Sequence, residues 1–513
     1  MRPSTLVRRS AITVAACAFS VLPAVPAAAD QPTVRTESGV VQSATEAGAD
    51  RYLGLPYAQP PTGSLRWRPP EPAARWRGVR QATQAPPRCV QRTTAPTSED
   101  CLYLNVYTPS GAAHGKRRYP VMVYVHGGAL VSGTGSVYDP TALTRDDVIV
   151  VTLNYRLGAL GFLAHPALTG SGGNYGLMDQ QAALRWVQRN IGRFGGLPGK
   201  VTIFGESAGG LSVLSLLASP GSAGLFSAAI NQSGAYALKL PGLSTARQQG
   251  TAFATAAGCA DQSATCLRSL PTAQVLTHQG GSAFPTVDGT VLPRSLDDAF
   301  SRGAFHRVPV VNGTTRDEST YFIAANYDLI GKRVTAEGYP AGIQAMAFVS
   351  PEQARRVAEK YPLGDFPSPA LALAKVATDA NFACPALNVD HWLAARVPTY
   401  AYEFDDPKAP QLYLGPVSFP YGAYHASELQ YLFKIGNAVY PGSLTQDQQT
   451  LAATMRRHWT SFATHHAPAT RAVWPRFTES GQSMISYRLP APATSDRFAT
   501  DHHCGFWNDL RTG

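Results

Sequence analysis

Ser207 lies in the run Gly205-Glu206-Ser207-Ala208-Gly209, a serine with a glycine two residues away on each side. A serine hydroxyl is a weak nucleophile until it is held clear of the backbone, beside a base, with amide N–H groups placed to receive oxyanion charge. The flanking residues supply that setting. Val201, Ile203 and Phe204 form a short apolar run, as a buried parallel strand would, and Leu211, Val213, Leu214 and Leu217 continue at helical spacing. G-x-S-x-G between a strand and a helix predicts a sharp bend with Ser207 at its tip. The two glycines let strand and helix close around a strained residue, and the helix N-terminus favours negative charge there. Upstream, Tyr119–Val125 (YPVMVYV) is another apolar strand that runs into His126-Gly127-Gly128-Ala129. A glycine-rich loop in that place offers further donors, so the backbone amides of Gly128, Ala129 and Ala208 are the candidate oxyanion hole. Either motif by itself is also an ordinary turn; together, in this order, they indicate acyl transfer through a serine.

Such a site needs a stiff framework. Apolar runs at 121–125, 148–153, 201–204, 228–231, 308–312 and 398–404 alternate with segments of helical periodicity. That alternation predicts an α/β fold with a large, mostly parallel central sheet and helices on both faces. The 513 residues contain no internal repeat, charge block or long linker, so 30–513 reads as one catalytic domain with long loop excursions. In such folds the acid and the histidine follow the nucleophile along the chain. Several acids follow Ser207, and His278, His306, His391, His425, His458, His465 and His466 are all admissible bases.

The chain resembles the type-B carboxylesterase/lipase family, which includes cholinesterases and bacterial p-nitrobenzyl-esterase-like enzymes. The likeness runs nearly end to end. It is carried by Leu53-Gly54-Leu55-Pro56-Tyr57-Ala58, Glu99-Asp100-Cys101-Leu102-Tyr103-Leu104-Asn105, Asn154-Tyr155-Arg156-Leu157-Gly158, Asn174-Tyr175-Gly176-Leu177-Met178-Asp179-Gln180 and the GESAG run. The resemblance implies an α/β-hydrolase fold and selects among the acids and histidines. Asn312-Gly313-Thr314-Thr315-Arg316-Asp317-Glu318 is similar to the family's acid loop, giving Glu318, with Asp317 as the rival. Gly422-Ala423-Tyr424-His425-Ala426-Ser427-Glu428-Leu429 is similar to the histidine loop, giving His425 as base. In the same terms Tyr321 and Phe322 lie at the substrate groove, Phe419 and Tyr421 line it or belong to the core, and Glu206 and Ser233 support the triad.

The implied function is a secreted serine carboxylesterase that hydrolyses small carboxylic esters through an acyl-enzyme, without cofactor or metal. One alternative is a lipase acting on longer-chain lipid esters. Another is a catalytically silent binding or adhesion relative, against which the presence of Ser207, Glu318, His425 and the HGGA loop argues. Cholinesterases carry a tryptophan between their first two cysteines, and the loop 90–100 has none, so choline esters are not expected. The chain departs from the family where Leu197 replaces the aspartate of FGGDP. That aspartate commonly pairs with the arginine matching Arg156, which therefore needs another partner. Ser319 replaces a glycine after the acid, a strained substitution if that position requires φ > 0. Ala129 replaces the last glycine of HGGG, with little effect on a backbone donor.

Residues 1–29 read as a signal peptide: Arg2, Arg8 and Arg9 precede an apolar stretch, and Ala27-Ala28-Ala29 offers a cleavage site. The stretch contains Pro23 and Pro26 and is short for a membrane span, so no stable membrane insertion is expected. Arg8-Arg9 and the sequence before Cys17 leave the export route open between general secretion, twin-arginine export and lipidation. Six cysteines remain beyond residue 29, an even set suited to disulfides in an exported chain. The family pattern implies Cys89–Cys101, Cys259–Cys266 and Cys384–Cys504. The formal charge of +10 includes three signal arginines, and the rest is dispersed without aromatic interleaving, which gives nucleic-acid binding no support. The pairs His465-His466 and His502-His503 lack acids or cysteines at ligand spacing and read as surface residues rather than a metal site. The sequons at Asn231 and Asn312 fall in segments expected to be buried. No residue pattern specifies an oligomeric state.

Overall fold

Val121, Val123 and Val125 pack into one hydrophobic cluster while Met122 and Tyr124, their neighbours along the same strand, pack into another. Successive side chains of a strand point to opposite faces, so a strand apolar at every position must lie in a sheet covered on both sides. The computed structural model describes Met1 and residues 31–512, apart from 47, 169–171, 282, 441, 471 and 472. The expected signal peptide lies outside the described residues. From Pro32 onward the chain forms one compact unit.

Its centre is an eleven-stranded sheet: β1 (Ala44–Glu46), β2 (Ala49–Pro56), β3 (Tyr103–Pro109), β4 (Tyr119–Val125), β5 (Ile149–Leu153), β6 (Gly196–Glu206), β7 (Ala228–Gln232), β8 (Val310–Thr315), β9 (Thr399–Phe404), β10 (Met484–Tyr487) and β11 (Ala493–Ser495). The spatial order is β11-β10-β9-β8-β7-β6-β4-β5-β3-β2-β1. The seven strands from β10 to β5 run parallel, and antiparallel strands close both edges. All six strands expected from apolar runs are present. The antiparallel edge strands are additions.

The helices that matter for the site are α1 (Tyr175–Asn190), α2 (Ala208–Ala218), α3 (Glu318–Asn326), α4 (Pro369–Thr378), α5 (Cys384–Ala394), α6 (Gln446–His465) and α7 (Cys504–Thr512). Trp186 and Val187 of α1, Leu214 of α2 and Val389 of α5 share the cluster of Val121 and Val123, whereas Met455, Trp459 and Phe462 of α6 share that of Met122 and Tyr124. Fully burying side chains of this size contributes about 1.5–3 kcal/mol each. A third cluster joins Ile323 of α3, Leu373 and Val376 of α4, and Trp507 of α7. A π-helical turn, Asp379–Ala383, separates α4 from α5.

The cysteines pair as Cys89–Cys101, Cys259–Cys266 and Cys384–Cys504, the last joining α5 to α7. Arg156 finds its partner in Asp179 of α1: Nε and Nη2 donate to the carboxylate at 2.7 and 2.6 Å, and the pair is buried. The partner expected from a family aspartate at 197 is thus supplied by the NYGLMDQ segment. Ser319 lies in the first turn of α3 and is not among the positive-φ residues, so its replacement of glycine carries no backbone strain. The reading of His502 as a surface residue is corrected: it is 1% exposed and held between two carboxylates. His465 is exposed and His466 half-buried. Asn231 and Asn312 are both fully buried, as expected. Among the described residues no helix is long and apolar enough to cross a membrane.

Candidate active site

Strand β6 ends at Glu206 and helix α2 begins at Ala208, leaving Ser207 alone at the bend with φ 56° and ψ −121°. Non-glycine residues avoid this region, and such strain persists only where the surroundings impose it. They do so here. A Cβ on Gly205 would stand 2.6 Å from the Gly209 backbone, and one on Gly209 would stand 2.0 Å from the Val125 carbonyl. Both glycines are therefore required by the crossing of β6, α2 and β4. The Ser207 amide donates to Gln232 O at the end of β7 (2.9 Å), which fixes the bend to the neighbouring strand.

The loop after β4 closes against this bend. A Cβ on Gly127 would lie 3.1 Å from Ser207 Cβ. Gly128 and Ala129 follow with φ 106° and 54°, half-buried and exposed respectively. The amides of Gly128, Ala129 and Ala208 have no intramolecular acceptor among the described residues, so they are free to donate to an incoming oxygen. His126 is buried, stacked on Tyr155, and its ring contacts Gly127 O; burial lowers its pKa to about 4, which keeps it neutral.

His425 lies in a loop anchored to the acid segment by the Ala423 amide, which donates to Asp317 Oδ2 at 2.9 Å. Its Nδ1 is 2.5 Å from Glu318 Oε2, and Glu318, fully buried, accepts from the Thr315 amide through its other oxygen (2.9 Å). Asp317 is thus a loop anchor, and the contact to histidine belongs to Glu318. On the opposite side His425 Nε2 lies 3.2 Å from Glu206 Oε1, the residue preceding Ser207. The Ser207 hydroxyl is not among the ring's hydrogen-bond partners; such contacts are often long in a resting site and tighten with substrate.

Burial alone pulls the His425 pKa down, but the Glu206 and Glu318 carboxylates outweigh it and hold it above the ordinary value. Burial raises the pKa of Glu206, against the pull of His425. A third glutamate, Glu428, was not assigned from the sequence although it stands three residues after His425. It is fully buried, accepts from Gln232 Nε2 at 3.2 Å, and has its pKa raised by burial and by Glu206 and Glu318. Ser233 is buried with φ 52°, and its hydroxyl has no partner among the described residues, so the structure does not join it to the histidine.

Aromatic rings form the wall. Phe322 and Tyr321 lie 4.9 and 6.1 Å from the His425 ring. Phe382, from the π-helical turn, lies 5.3 Å from His425 and stacks on Phe322, and Tyr236 packs against Phe382. Neither Phe382 nor Tyr236 was legible beforehand. Phe419 belongs to the core, and half-buried Tyr421 packs beside it. Beside the Gly128–Leu130 loop a cleft of about 870 Å³ is lined by Val131, Phe162, Leu163, Leu240, Phe253 and Phe284, with Lys239 and His278 also on its wall. Its walls bond to that loop: Ala283 N donates to Ala129 O at 3.2 Å and Gly158 N to Leu130 O at 2.7 Å. Among the described residues no group of three His, Cys, Asp or Glu side chains is placed to hold a metal ion.

A strained serine at a strand-to-helix bend, free amides beside it and a histidine backed by a buried carboxylate, all on a mostly parallel sheet, define an α/β-hydrolase. Comparison with known proteins narrows the class. A sequence model of the Carboxylesterase family matches residues 30–507, and the chain belongs to that family. It is 37% identical to the acylcarnitine hydrolase of Mus musculus over 488 residues, covering 86% of this chain and 85% of that one. It is 37% identical to the cocaine esterase of Homo sapiens, over 90% of this chain and 87% of that one. The fumonisin B1 esterase of Sphingopyxis macrogoltabida is 36% identical over 90% and 88%. A solved PNB esterase superposes with a TM-score of 0.79 at 32% identity, covering 93% of this chain and all of that one. The protein is a carboxylic ester hydrolase.

Proposed function

We propose that this protein is a secreted carboxylesterase in which Ser207 is the nucleophile, His425 the general base and Glu318 its orienting acid. The observation that carries the reading is the line Glu318–His425–Glu206, with contacts of 2.5 and 3.2 Å, which brings the imidazole to the residue adjoining the strained serine. His425 takes the Ser207 proton as the hydroxyl attacks the ester carbonyl, and Glu318 stabilises the imidazolium that forms. The amides of Gly128, Ala129 and Ala208 receive the oxyanion. His425 then protonates the departing alcohol, leaving an acyl-serine that water hydrolyses by the same steps. The aromatic wall and the apolar cleft favour uncharged esters with an apolar acyl part. Three disulfides fit an oxidising compartment, and residues 1–29 serve as the export signal before a single catalytic domain, 30–513.

The test is hydrolysis of p-nitrophenyl esters from C2 to C16 by the oxidised wild type and Ser207→Ala. Wild-type turnover abolished in Ser207→Ala supports the reading, and the chain-length profile separates an esterase from a lipase. A folded wild type inert on every ester, or an alanine variant that keeps its activity, would overturn it.

A further inference from the structure

The segment carrying Glu318 is held from both ends. On one side Arg316 Nη1 bonds Asp405 Oδ2 at 3.1 Å and lies 3.9 Å from Glu403 Oε2, on and just after β9. On the other, the Ser319 amide donates to Thr378 Oγ1 at 3.0 Å, the last residue of α4 and the neighbour of Asp379. His502, just before α7, joins these two supports. Its Nδ1 lies 2.6 Å from Asp379 Oδ1 and its Nε2 2.7 Å from Glu403 Oε1, and all three side chains are buried. Only an imidazolium has a hydrogen on each nitrogen, so the cation is the form that donates to both carboxylates at once, against the Lys375 ammonium that also stands 3.0 Å from Nδ1. Asp379 also opens the π-helical turn that presents Phe382 to His425.

Resting on the triad reading above, we propose that His502 is a positioning residue for the esterase site: its cationic ring, bridging Asp379 and Glu403, keeps the Glu318 segment and the Phe382 turn in register with His425. Without the ring, two buried carboxylates face each other across the space it filled. One is left to Lys375, whose Nζ bonds Asp379 Oδ1 at 2.7 Å, and to Tyr361, whose hydroxyl donates to Asp379 Oδ2 at 2.8 Å. The other is left to the more distant Arg316. Two buried carboxylates that have lost the charge between them are unfavourable neighbours even with these remaining partners, and the relief available is for the two supports to move apart.

The same geometry makes the device sensitive to pH. The charged and titratable groups facing His502 are Lys375 and Asp379 from α4 and its turn, Tyr361 on Asp379, Glu403 from the end of β9, and its chain neighbours Asp501 and His503, with Arg316, Asp405 and Asp317 beyond Glu403. Burial and Lys375 (3.0 Å from Nδ1) push the His502 pKa down, Asp379 and Glu403 push it up, and the balance is upward. A raised folded-state pKa means that the bridge is complete below the ordinary histidine value and is lost as pH rises through the folded one.

The experiment compares wild type, His502→Gln, Glu403→Gln and Ser207→Ala by kcat and KM on p-nitrophenyl butyrate across pH, with reversibility and circular dichroism checked at each pH. His502→Gln is expected to lower kcat at least tenfold with KM changed less than threefold, and to abolish the reversible alkaline fall in kcat. Glu403→Gln removes one anion from the ring and is expected to move that fall to lower pH, leaving the rising limb set by His425 in place. Should His502→Gln fail to fold, Glu403→Gln alone decides. A wild-type kcat in His502→Gln, or an alkaline fall unmoved in Glu403→Gln, overturns the proposal. Ser207→Ala separates the two readings: if it stays active the triad assignment fails, whereas its inactivity beside an unaffected His502→Gln removes only the role of His502.

Discussion

His425 and Glu318 meet through a 2.5 Å contact between Nδ1 and Oε2, and the carboxylate that makes it is wholly buried at the start of a helix. The other oxygen of Glu318 is taken by the Thr315 amide, so the carboxylate is clamped toward the ring. In the proposed triad, a carboxylate fixed in this way selects the tautomer with the proton on Nδ1 and leaves Nε2 to act as the base.

Glu318→Gln should therefore lower kcat by roughly 10³–10⁴-fold, because the amide selects the wrong tautomer while preserving shape. Asp317→Asn loosens the anchor to Ala423 and should leave kcat within about tenfold. Steady-state kinetics on one soluble ester would decide between the two acids. A larger loss at Asp317 than at Glu318 would reverse the assignment.

Glu206→Gln removes one of the three carboxylates, with Glu318 and Glu428, that raise the His425 pKa. A general base works when neutral, so kcat/KM rises as pH passes through the folded pKa, above the ordinary value of about 6.5. With Glu206 neutralised that rising limb should move to lower pH. Because Glu206, Glu428 and His425 perturb one another, the measured pKa belongs to the cluster rather than to one residue. A limb that stays in place or moves up would exclude Glu206 as its cause.

Much of this site was legible as chemistry before it was legible as geometry. The strands that carry the motifs are buried on both faces and so announce themselves as apolar runs, as 121–125 and 201–204 do. Strands β1, β10 and β11 are only three or four residues long, and β2 interrupts its apolar residues with Asp50 and Arg51, so neither length nor alternation marks them. Ser207 sits in a motif with local spacing, whereas His425 is one of seven admissible histidines that only the family resemblance singles out. Phe382 reaches His425 only because a π-helical turn shifts the phase of its helix, which a 3.6-residue period does not reveal. His502 looks like half of a surface pair because the carboxylates that bury it, Asp379 and Glu403, lie about a hundred residues away or more.

Asp179→Ala should destabilise the fold by about 3–5 kcal/mol, since it strands the buried Arg156 guanidinium that Leu197 does not serve. Replacing both partners with apolar residues of similar volume should recover most of the loss. Thermal unfolding of the single and double variants tests this, and equal destabilisation by both would contradict it.

Opening Cys384–Cys504, which spans 120 residues, should cost more stability than opening Cys259–Cys266, which spans 7. Loop-closure entropy assigns the longer link about 4–5 kcal/mol. Paired serine substitutions compared by thermal inactivation should show the larger drop for the α5–α7 link. The reverse order would mean that the long loop is already restrained in the unfolded chain.

If Ser207 is the nucleophile, the ester's acyl group passes through its hydroxyl. The most direct measurement is intact-mass and peptide mass spectrometry after reaction with a fluorophosphonate, alongside p-nitrophenyl ester turnover, for wild type and Ser207→Ala. The expected result is one phosphonate per chain on the peptide containing Ser207, loss of turnover in step with labelling, and neither labelling nor turnover in Ser207→Ala. A label on another residue, or an alanine variant that hydrolyses esters at the wild-type rate, would contradict it.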